Sequence, residues 1–327
     1  MARIAWISKK DVQGKTFDTV VIGGGPAGYS AAVYAKRFLL NTIVIAKLIG
    51  GQLTLTDYVD DYPACRKIKA TDLVNRFKRH AEDFGVKTYW GDSVESFEKT
   101  GDGKLYKITT KKGVELYAKS IIVAVGTKRR KLGIPGEKEF SGRGVSYCSV
   151  CDAPLYAGKD SVIVVGGGDA AFEGALLLSG YVKKVYLVHR RKHFRAKPFF
   201  VERVLTKPNI EILVDSVLTE IGGDKLVRYA KVKNKITGEE KEINVDGVFI
   251  EIGFEPDKEW AVKNGLNVDN AGYIIVDDWM RTNLPGVFAA GDCTNKWPNF
   301  RQVVTAAAMG SIAAYSAFNY LQENNLL

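Results

Sequence analysis

Cysteine, methionine and histidine are scarce in this chain, at four, three and three among 327 residues. The cysteines stand at positions 65, 148, 151 and 293. That density is far below a secreted disulfide scaffold and points to a reducing compartment, the cytoplasm. No run reaches the roughly 18 apolar residues that a spanning helix requires, so no membrane segment is expected. The opening MARIAWISKK lacks a long apolar stretch and a small-residue cleavage site, which argues against a secretory leader. Met1 to Thr16 carries no readable signal, and no low-complexity linker interrupts the chain.

Apolar side chains make up 46% of the sequence and charged ones 26%, with 11% aromatics, which excludes disorder. The length suggests two domains. A net charge of +10 raises the question of nucleic acid. The positive residues, however, fall in short pairs (Lys9-Lys10, Lys111-Lys112, Lys183-Lys184) among acids, without the basic stripe such binding needs. Acidic protein partners and phosphorylated cofactors account for the excess at least as well. Few Met and Cys with abundant Lys and Arg hint at a thermophilic source.

Two segments repeat one grammar. The first runs from Phe17 to Ile22 as a short β-branched stretch, then Gly23-Gly24-Gly25-Pro26-Ala27-Gly28, then an Ala-rich helical stretch to Phe38. The second runs from Ser161 to Val165, then Gly166-Gly167-Gly168-Asp169-Ala170-Ala171, then helix to Ser179. Each is followed by another strand, Thr42 to Ile45 and Lys184 to Val188. Strand, glycine turn and helix bring backbone N–H groups to a pyrophosphate, and the pattern occurring twice makes a strong dinucleotide signal. A glycine turn can also merely pack a helix on a sheet, which is the plainer reading of either one. Further strands are expected at Ser120 to Val125, Gly247 to Gly253 and Gly286 to Gly291. The Ala-rich tail from Arg301 to Leu321 is expected to be helical.

The expected fold is α/β, with two Rossmann-like three-layer domains, the second inserted in the first. Residues 1–128 and 260–327 form the outer domain and 129–259 the inserted one, with short crossings near Lys128-Leu132 and Gly253-Asp257. A ribose-binding acid is expected about 20 residues beyond each turn. In the first unit Ala46 and Lys47 stand there instead. In the second the strand ends in His189-Arg190-Arg191, with Arg195 beyond. Guanidinium groups suit a 2′-phosphate, so this unit favours NADPH over NADH, unless the arginines are only a solvated basic turn.

Cys148-Ser149-Val150-Cys151-Asp152 is the chemically richest stretch. A structural zinc site wants four ligands, and Cys65 and Cys293 have no partner at close spacing. An inert buried pair is a second reading, and a redox dithiol a third. Asp152 could cap a turn, or as a buried acid could deliver a proton to a leaving sulfur. Cys65 and Cys293 read as packed thiols.

From Thr16 to Tyr320 the chain resembles the low-molecular-weight thioredoxin reductases, which pass electrons from NADPH through FAD to their own disulfide and on to thioredoxin. The resemblance rests on the first glycine turn, Gly50-Gly51-Gln52-Leu53, Gly142-Arg143-Gly144-Val145-Ser146, the cysteine motif, His189-Arg190-Arg191, Phe194-Arg195-Ala196, Gly291-Asp292 and Arg301-Gln302. It implies an FAD site of Gly23, Gly25, Pro26, Ala27, Gly28, Lys47, Gly51 and Gln52. Asp61, Val94, Gly126, Asp292, Arg301, Gln302 and Val303 complete it, with Asp292 toward the ribityl–phosphate region. It implies an NADPH site of Gly168, Asp169, Ala170, Ala171 and Glu173, with His189, Arg190, Arg191, Arg195 and Ile252. Cys151 would face the flavin, Cys148 attack the partner disulfide and Asp152 donate the proton; no metal is implied. The expected partner is thioredoxin or a thioredoxin-like or glutaredoxin-like protein, and the expected assembly is a homodimer.

Three departures qualify this. Asp152 is followed by Ala153-Pro154-Leu155-Tyr156, where relatives carry Gly and two aromatics. Asp61 precedes Tyr62-Pro63, where Asn before Trp-Pro is usual. The segment between Asp292 and Arg301 is about two residues longer than in close relatives. Because the partner-docking aromatics differ, a flavin NAD(P)H oxidase or a peroxiredoxin-feeding reductase is the alternative activity, and a nucleotide-sensing scaffold the non-enzymatic one. Since the disulfide and the coenzyme share one domain and each must reach the flavin, the inserted domain is expected to rotate about Gly126-Thr127-Lys128 and Gly253-Phe254.

Overall fold

The computed structural model describes residues 7–55, 58–59, 61–101, 103–298 and 300–327, the side chains of Leu55 and Cys151 lying outside the described part. The chain divides into two compact units, Met1–Lys128 with Glu255–Leu327, and Arg129–Phe254. Residues 255–259, assigned above to the inserted part, therefore belong to the outer unit. The helix that they lead into explains why. In Lys258–Lys263 the Trp260 indole donates to the Val94 carbonyl at 2.9 Å, and Lys263 pairs with Glu95 at 2.6 Å.

The outer unit is built on one seven-stranded sheet. Its order is Lys87–Trp90, Thr42–Ile49, Thr16–Gly24, Glu115–Val123, Tyr106–Thr110 and Val94–Lys99, with Val287–Ala289 also paired to Glu115–Val123. The strands beside Thr16–Gly24 run parallel to it, and the last two form an antiparallel hairpin. Thr16–Gly24 is buried from Thr19 to Ile22 without alternation, as a parallel strand covered on both faces must be. Helices Pro26–Arg37 and Val303–Glu323 lie against each other at close range. Ser30 and Ser311 hydroxyls meet at 2.9 Å, and Gly310 has no room for a side chain beside the Ala27 carbonyl.

The inserted unit has a five-stranded parallel sheet, in the order Val145–Ser146, Gly247–Ile250, Ser161–Val165, Lys184–Val188, Ile210–Leu213. Alternation along Ser161–Val165 sends Val162 and Val164 to one core and Ile163 and Val165 to another. The first core is closed by Phe172 and Leu178 of helix Asp169–Leu178. The second is closed by Leu218, Ala230 and Val232 of an antiparallel three-stranded sheet, Ser216–Gly223, Val227–Asn234 and Glu240–Asn244. Helices, parallel sheet and antiparallel sheet make the three layers, and both units are Rossmann-like α/β.

The helix crossing at Gly310 yields a prediction of unexpected sign. Alanine is normally the better helix residue by about 1 kcal/mol. A Cβ at Gly310, however, would stand 2.1 Å from the Ala27 carbonyl oxygen. Gly310→Ala should therefore destabilise by about 2 kcal/mol through overpacking, measured as a lower denaturant midpoint at unchanged slope. A midpoint at or above the parent value would show that the crossing can relax.

Candidate active site

The first glycine turn is held by its own backbone. A Cβ at Gly23 would lie 2.1 Å from the Ala124 carbonyl oxygen, and one at Gly28 2.0 Å from that of Gly23. Gly25 is different: it precedes helix Pro26–Arg37, and a side chain there would meet nothing within 4 Å. The Gly51–Leu55 turn closes on it, with the Gly25 Cα 3.7 Å from where a Gly51 Cβ would be. Gln52 donates from Nε2 to both the carbonyl and the hydroxyl of Thr127. Gly126 faces open space. Gly291 packs its backbone on the Ala27 methyl, which places Asp292 at the same helix start. Asp292 is half-buried, and desolvation pushes its carboxyl up against the opposing pull of Arg301.

Arg301 donates from Nε to the Asp292 carbonyl at 3.3 Å and lies 4.0 Å over the Tyr273 ring. Gln302 caps helix Val303–Glu323, whose first residue, Val303, packs against the cluster around Leu53 and Val59. These contacts gather the glycine turn, Gly51, Gln52, Asp292 and Arg301 into one rim, and Lys47 is exposed on the strand paired with Thr16–Gly24. Asp61 and Val94 are not joined to the rim by the contacts that define it. Asp61 is exposed, and Val94 is a core residue whose carbonyl carries Trp260. Tyr273 was not foreseen, and Thr127 only as part of a crossing, because only the fold brings them to their partners.

In the inserted unit a Cβ at Gly166 would meet the Glu251 carbonyl oxygen at 2.4 Å and the Ala171 methyl at 2.5 Å. Gly167 lies under the His189 ring. Gly168, just before helix Asp169–Leu178, faces open space. The Gly167 carbonyl accepts from the amides of Arg195 and Ala196 at 2.7 and 3.1 Å, and Asp169 accepts from the Lys197 amide at 2.8 Å. The arginine segment is thereby tied to the turn. Burial, then the charges of Arg190, Arg191 and Arg195, hold His189 below its usual range, although the His193 carbonyl opposes this. Arg190, Arg191 and Arg195 are exposed and Ile252 half-buried.

Both turns fit a dinucleotide: closed where neighbouring backbone presses and open where a pyrophosphate would face helix N–H groups. The first has room for the pyrophosphate of FAD, although Ala46 and Lys47 stand where an acid would hold the ribose hydroxyl. The second fits NADPH, with its three arginines.

Cys148 is half-buried and disulfide-bonded. Its amide donates to the Ser146 hydroxyl at 3.1 Å, and the short helix Ser149–Asp152 starts directly after it. The Cys151 side chain lies outside the described residues. Asp152 is half-buried, and its amide donates to the Cys148 carbonyl at 3.2 Å. A disulfide leaves Cys148 no thiolate for zinc. Cys65 and Cys293 are free, and burial pushes the Cys293 thiol up to about 12. Among the described residues no three His, Cys, Asp or Glu are grouped to hold a metal, and no helix is long and apolar enough to cross a membrane.

Sequence reasoning overlooked Glu251, whose carboxylate accepts from Ser149 and pairs with Arg129. The available signal was an acid at the end of an otherwise apolar strand, Gly247 to Ile250.

A family model described as pyridine nucleotide-disulphide oxidoreductase matches residues 17–310. The chain is 40% identical to a thioredoxin reductase of Bacillus subtilis over 311 residues, covering 94% of this chain and 96% of that one. It is similar to the crystal structure of Lactococcus lactis thioredoxin reductase in its FR conformation, at TM-score 0.86 and 39% identity, covering 94% of this chain and 99% of that one. The crystal structure of T. acidophilum thioredoxin reductase is similar too, at TM-score 0.83 and 37% identity over 93% of this chain and 98% of that one.

The arginine segment makes a separable prediction. Replacing Arg190 and Arg191 together by alanine should weaken a 2′-phosphorylated dinucleotide about 100-fold, from two lost charge-assisted pairs, and its unphosphorylated analogue only a few-fold. Equal losses, read by steady-state titration with each, would remove the phosphate assignment.

Proposed function

The chain belongs to the pyridine nucleotide-disulphide oxidoreductase family, alongside the low-molecular-weight thioredoxin reductases, and from that premise we propose that it reduces the disulfide of thioredoxin or a thioredoxin-like protein with NADPH, through its own Cys148/Cys151 pair. The net reaction takes NADPH, a proton and a protein disulfide to NADP⁺ and a dithiol. The observation that carries this reading is a disulfide-bonded, half-buried Cys148 within a unit that also holds a glycine turn and three arginines. FAD, when bound, supplies the two-electron relay between nicotinamide and disulfide.

The chain's own residues do the rest. Gly23, Gly25, Gly28 and Asp292 bind FAD, with Gly51, Gln52, Arg301 and Gln302 on the same rim. Gly168, Asp169 and the arginines bind and orient NADPH. Cys148 attacks the partner disulfide, Cys151 releases it by attacking Cys148, and Asp152 holds the proton that the leaving sulfur needs. Leu155, 75% exposed just past the redox helix, takes the place of the missing aromatics toward the partner. Redox pair and coenzyme residues share the inserted unit, and each must have access to FAD in the outer one. Rotation at the crossings meets both needs, and Gly126 and Gly253, with φ of +64° and +92°, give them backbone freedom. The same likeness supports a homodimer acting in the cytoplasm.

In the FAD-loaded enzyme, Cys148→Ser and Cys151→Ser should each lower thioredoxin reduction by about 1,000-fold or more, as expected for loss of a nucleophile, while NADPH still bleaches the flavin. Full-rate reduction by both variants would discard the dithiol reading, and peroxide formation untouched by loss of both cysteines would move the activity to an oxidase. For the rotation, cross-links that fix the inserted unit in each of two orientations should stop turnover yet leave one half-reaction intact in each. Undiminished turnover in both locked forms would eliminate it.

A further inference from the structure

Glu251 has no task in the proposed function, yet its carboxylate is tied to both the redox helix and the edge of the inserted unit. It directly follows the strand Gly247–Ile250, with its side chain 8% exposed. Oε1 accepts from the Ser149 amide at 3.0 Å and from the Ser149 hydroxyl at 2.9 Å. Oε2 pairs with Arg129 Nη1 at 3.0 Å. Arg129 is the first residue of the inserted unit, and its guanidinium lies 5.3 Å over the ring of Phe254, the last. Ser149 follows Cys148, is 2% exposed, and sits where Gly174 leaves space; a Cβ at Gly174 would be 2.4 Å from its Oγ. One carboxylate therefore joins the start of the redox helix to the segments where the unit begins and ends.

We infer that Glu251 is a positioning residue for Cys148, fixing the first turn of the redox helix and acting as one charge unit with Arg129 at the sulfur. The inference rests on Cys148 being the redox sulfur. Its physical content is a balance of charges. The carboxylate is bound to the amide that directly follows Cys148, so it disfavours a thiolate there, and the guanidinium opposes it. Glu173 on helix Asp169–Leu178 lies in the field of Glu251 and Asp169, with Lys197 opposing them, and Asp152 at the end of the redox helix acts on Tyr156. Loss of the Glu251 charge also eases the ionisation of Glu173, which offsets part of the effect; Glu251 is the group bound to the amide next to Cys148, so the sign of the shift stays its own. Removing one member or the other must therefore shift the thiol in opposite directions, which a merely structural contact would not do.

The test uses the FAD-loaded enzyme reduced with dithiothreitol, then alkylated with iodoacetamide across pH 5 to 10, the Cys148 peptide being quantified by mass spectrometry. E251Q keeps an oxygen for Ser149 and removes the charge. Its alkylation midpoint should fall by about one pH unit, roughly tenfold more thiolate at neutral pH, with the high-pH plateau unchanged. R129M should raise the midpoint, and R129K should restore it. E251A, which also frees Ser149, should raise the plateau two- to fivefold by loosening the helix. Shifts of E251Q and R129M in the same direction, or profiles matching the parent, would overturn the inference, and R129M against R129K decides it alone if the Glu251 variants fail to fold. The assay uses neither NADPH nor thioredoxin, so its failure and the failure of the proposed activity are told apart.

Discussion

The carbonyl oxygen of Glu251 stands 2.4 Å from where a side chain on Gly166 would begin, and that exclusion organises the inserted unit. The turn after Ser161–Val165 is pressed on the end of the neighbouring parallel strand. The outer unit repeats the device with Gly23 against the Ala124 carbonyl. In both, the backbone is pinned from the side, which leaves the helix start facing away from the sheet with unused N–H groups. The anion site is therefore a consequence of packing rather than of any charged side chain. Because the residue whose carbonyl pins Gly166 is also the one whose carboxylate holds Ser149, a single position links the dinucleotide turn to the redox helix.

What keeps that strand end in place is the layering on either side. Along Ser161–Val165 successive side chains serve different cores, so a slip of one residue would carry Val162 and Val164 out of the helical layer and into the antiparallel one. Register is thus fixed twice over. A buried valine contributes roughly 1.5 kcal/mol or more, so a shifted pairing would cost more than any single polar contact at the turn could return. The ion pair of Arg129 with Glu251 is well buried, and a pair of that kind adds little net stability while leaving one partner alone is expensive. Its value lies in direction.

The strand, turn and helix units could be read from the sequence because their requirements are local: a β-branched run, glycines at fixed offsets, and alanines after them. The helix Val303–Glu323 was visible for the same reason. The three-stranded sheet of the inserted unit was not. Its outer strand Glu240–Asn244 is mostly exposed and carries alternating charges, so its pattern reads as a polar loop until Leu218, Ala230 and Val232 are seen against the sheet beneath. Arg301 on Tyr273 and Gln52 on Thr127 join residues far apart in sequence, and no spacing rule reaches them. Glu251 was hidden in a run that looked like plain core. Asp61 and Val94 entered by likeness alone, and the contacts that gather the rim give neither a place in it.

The glycines themselves separate by role once the space around each is known. Gly23, Gly28 and Gly166 are required because backbone occupies the place of a side chain. Gly167 is required for a different reason, since the His189 ring covers it. That ring is buried beside three arginines, which keeps it neutral near pH 7, so it fills the space without adding a fourth charge. Gly25 and Gly168 have nothing within 4 Å and gain no packing from being small. Their smallness is of use only to something that the fold itself does not supply, and both lie just before a helix N-terminus. Two open glycines among crowded ones therefore mark, within a motif that looks uniform in sequence, the places where the proposed function would bring a phosphate to bare backbone.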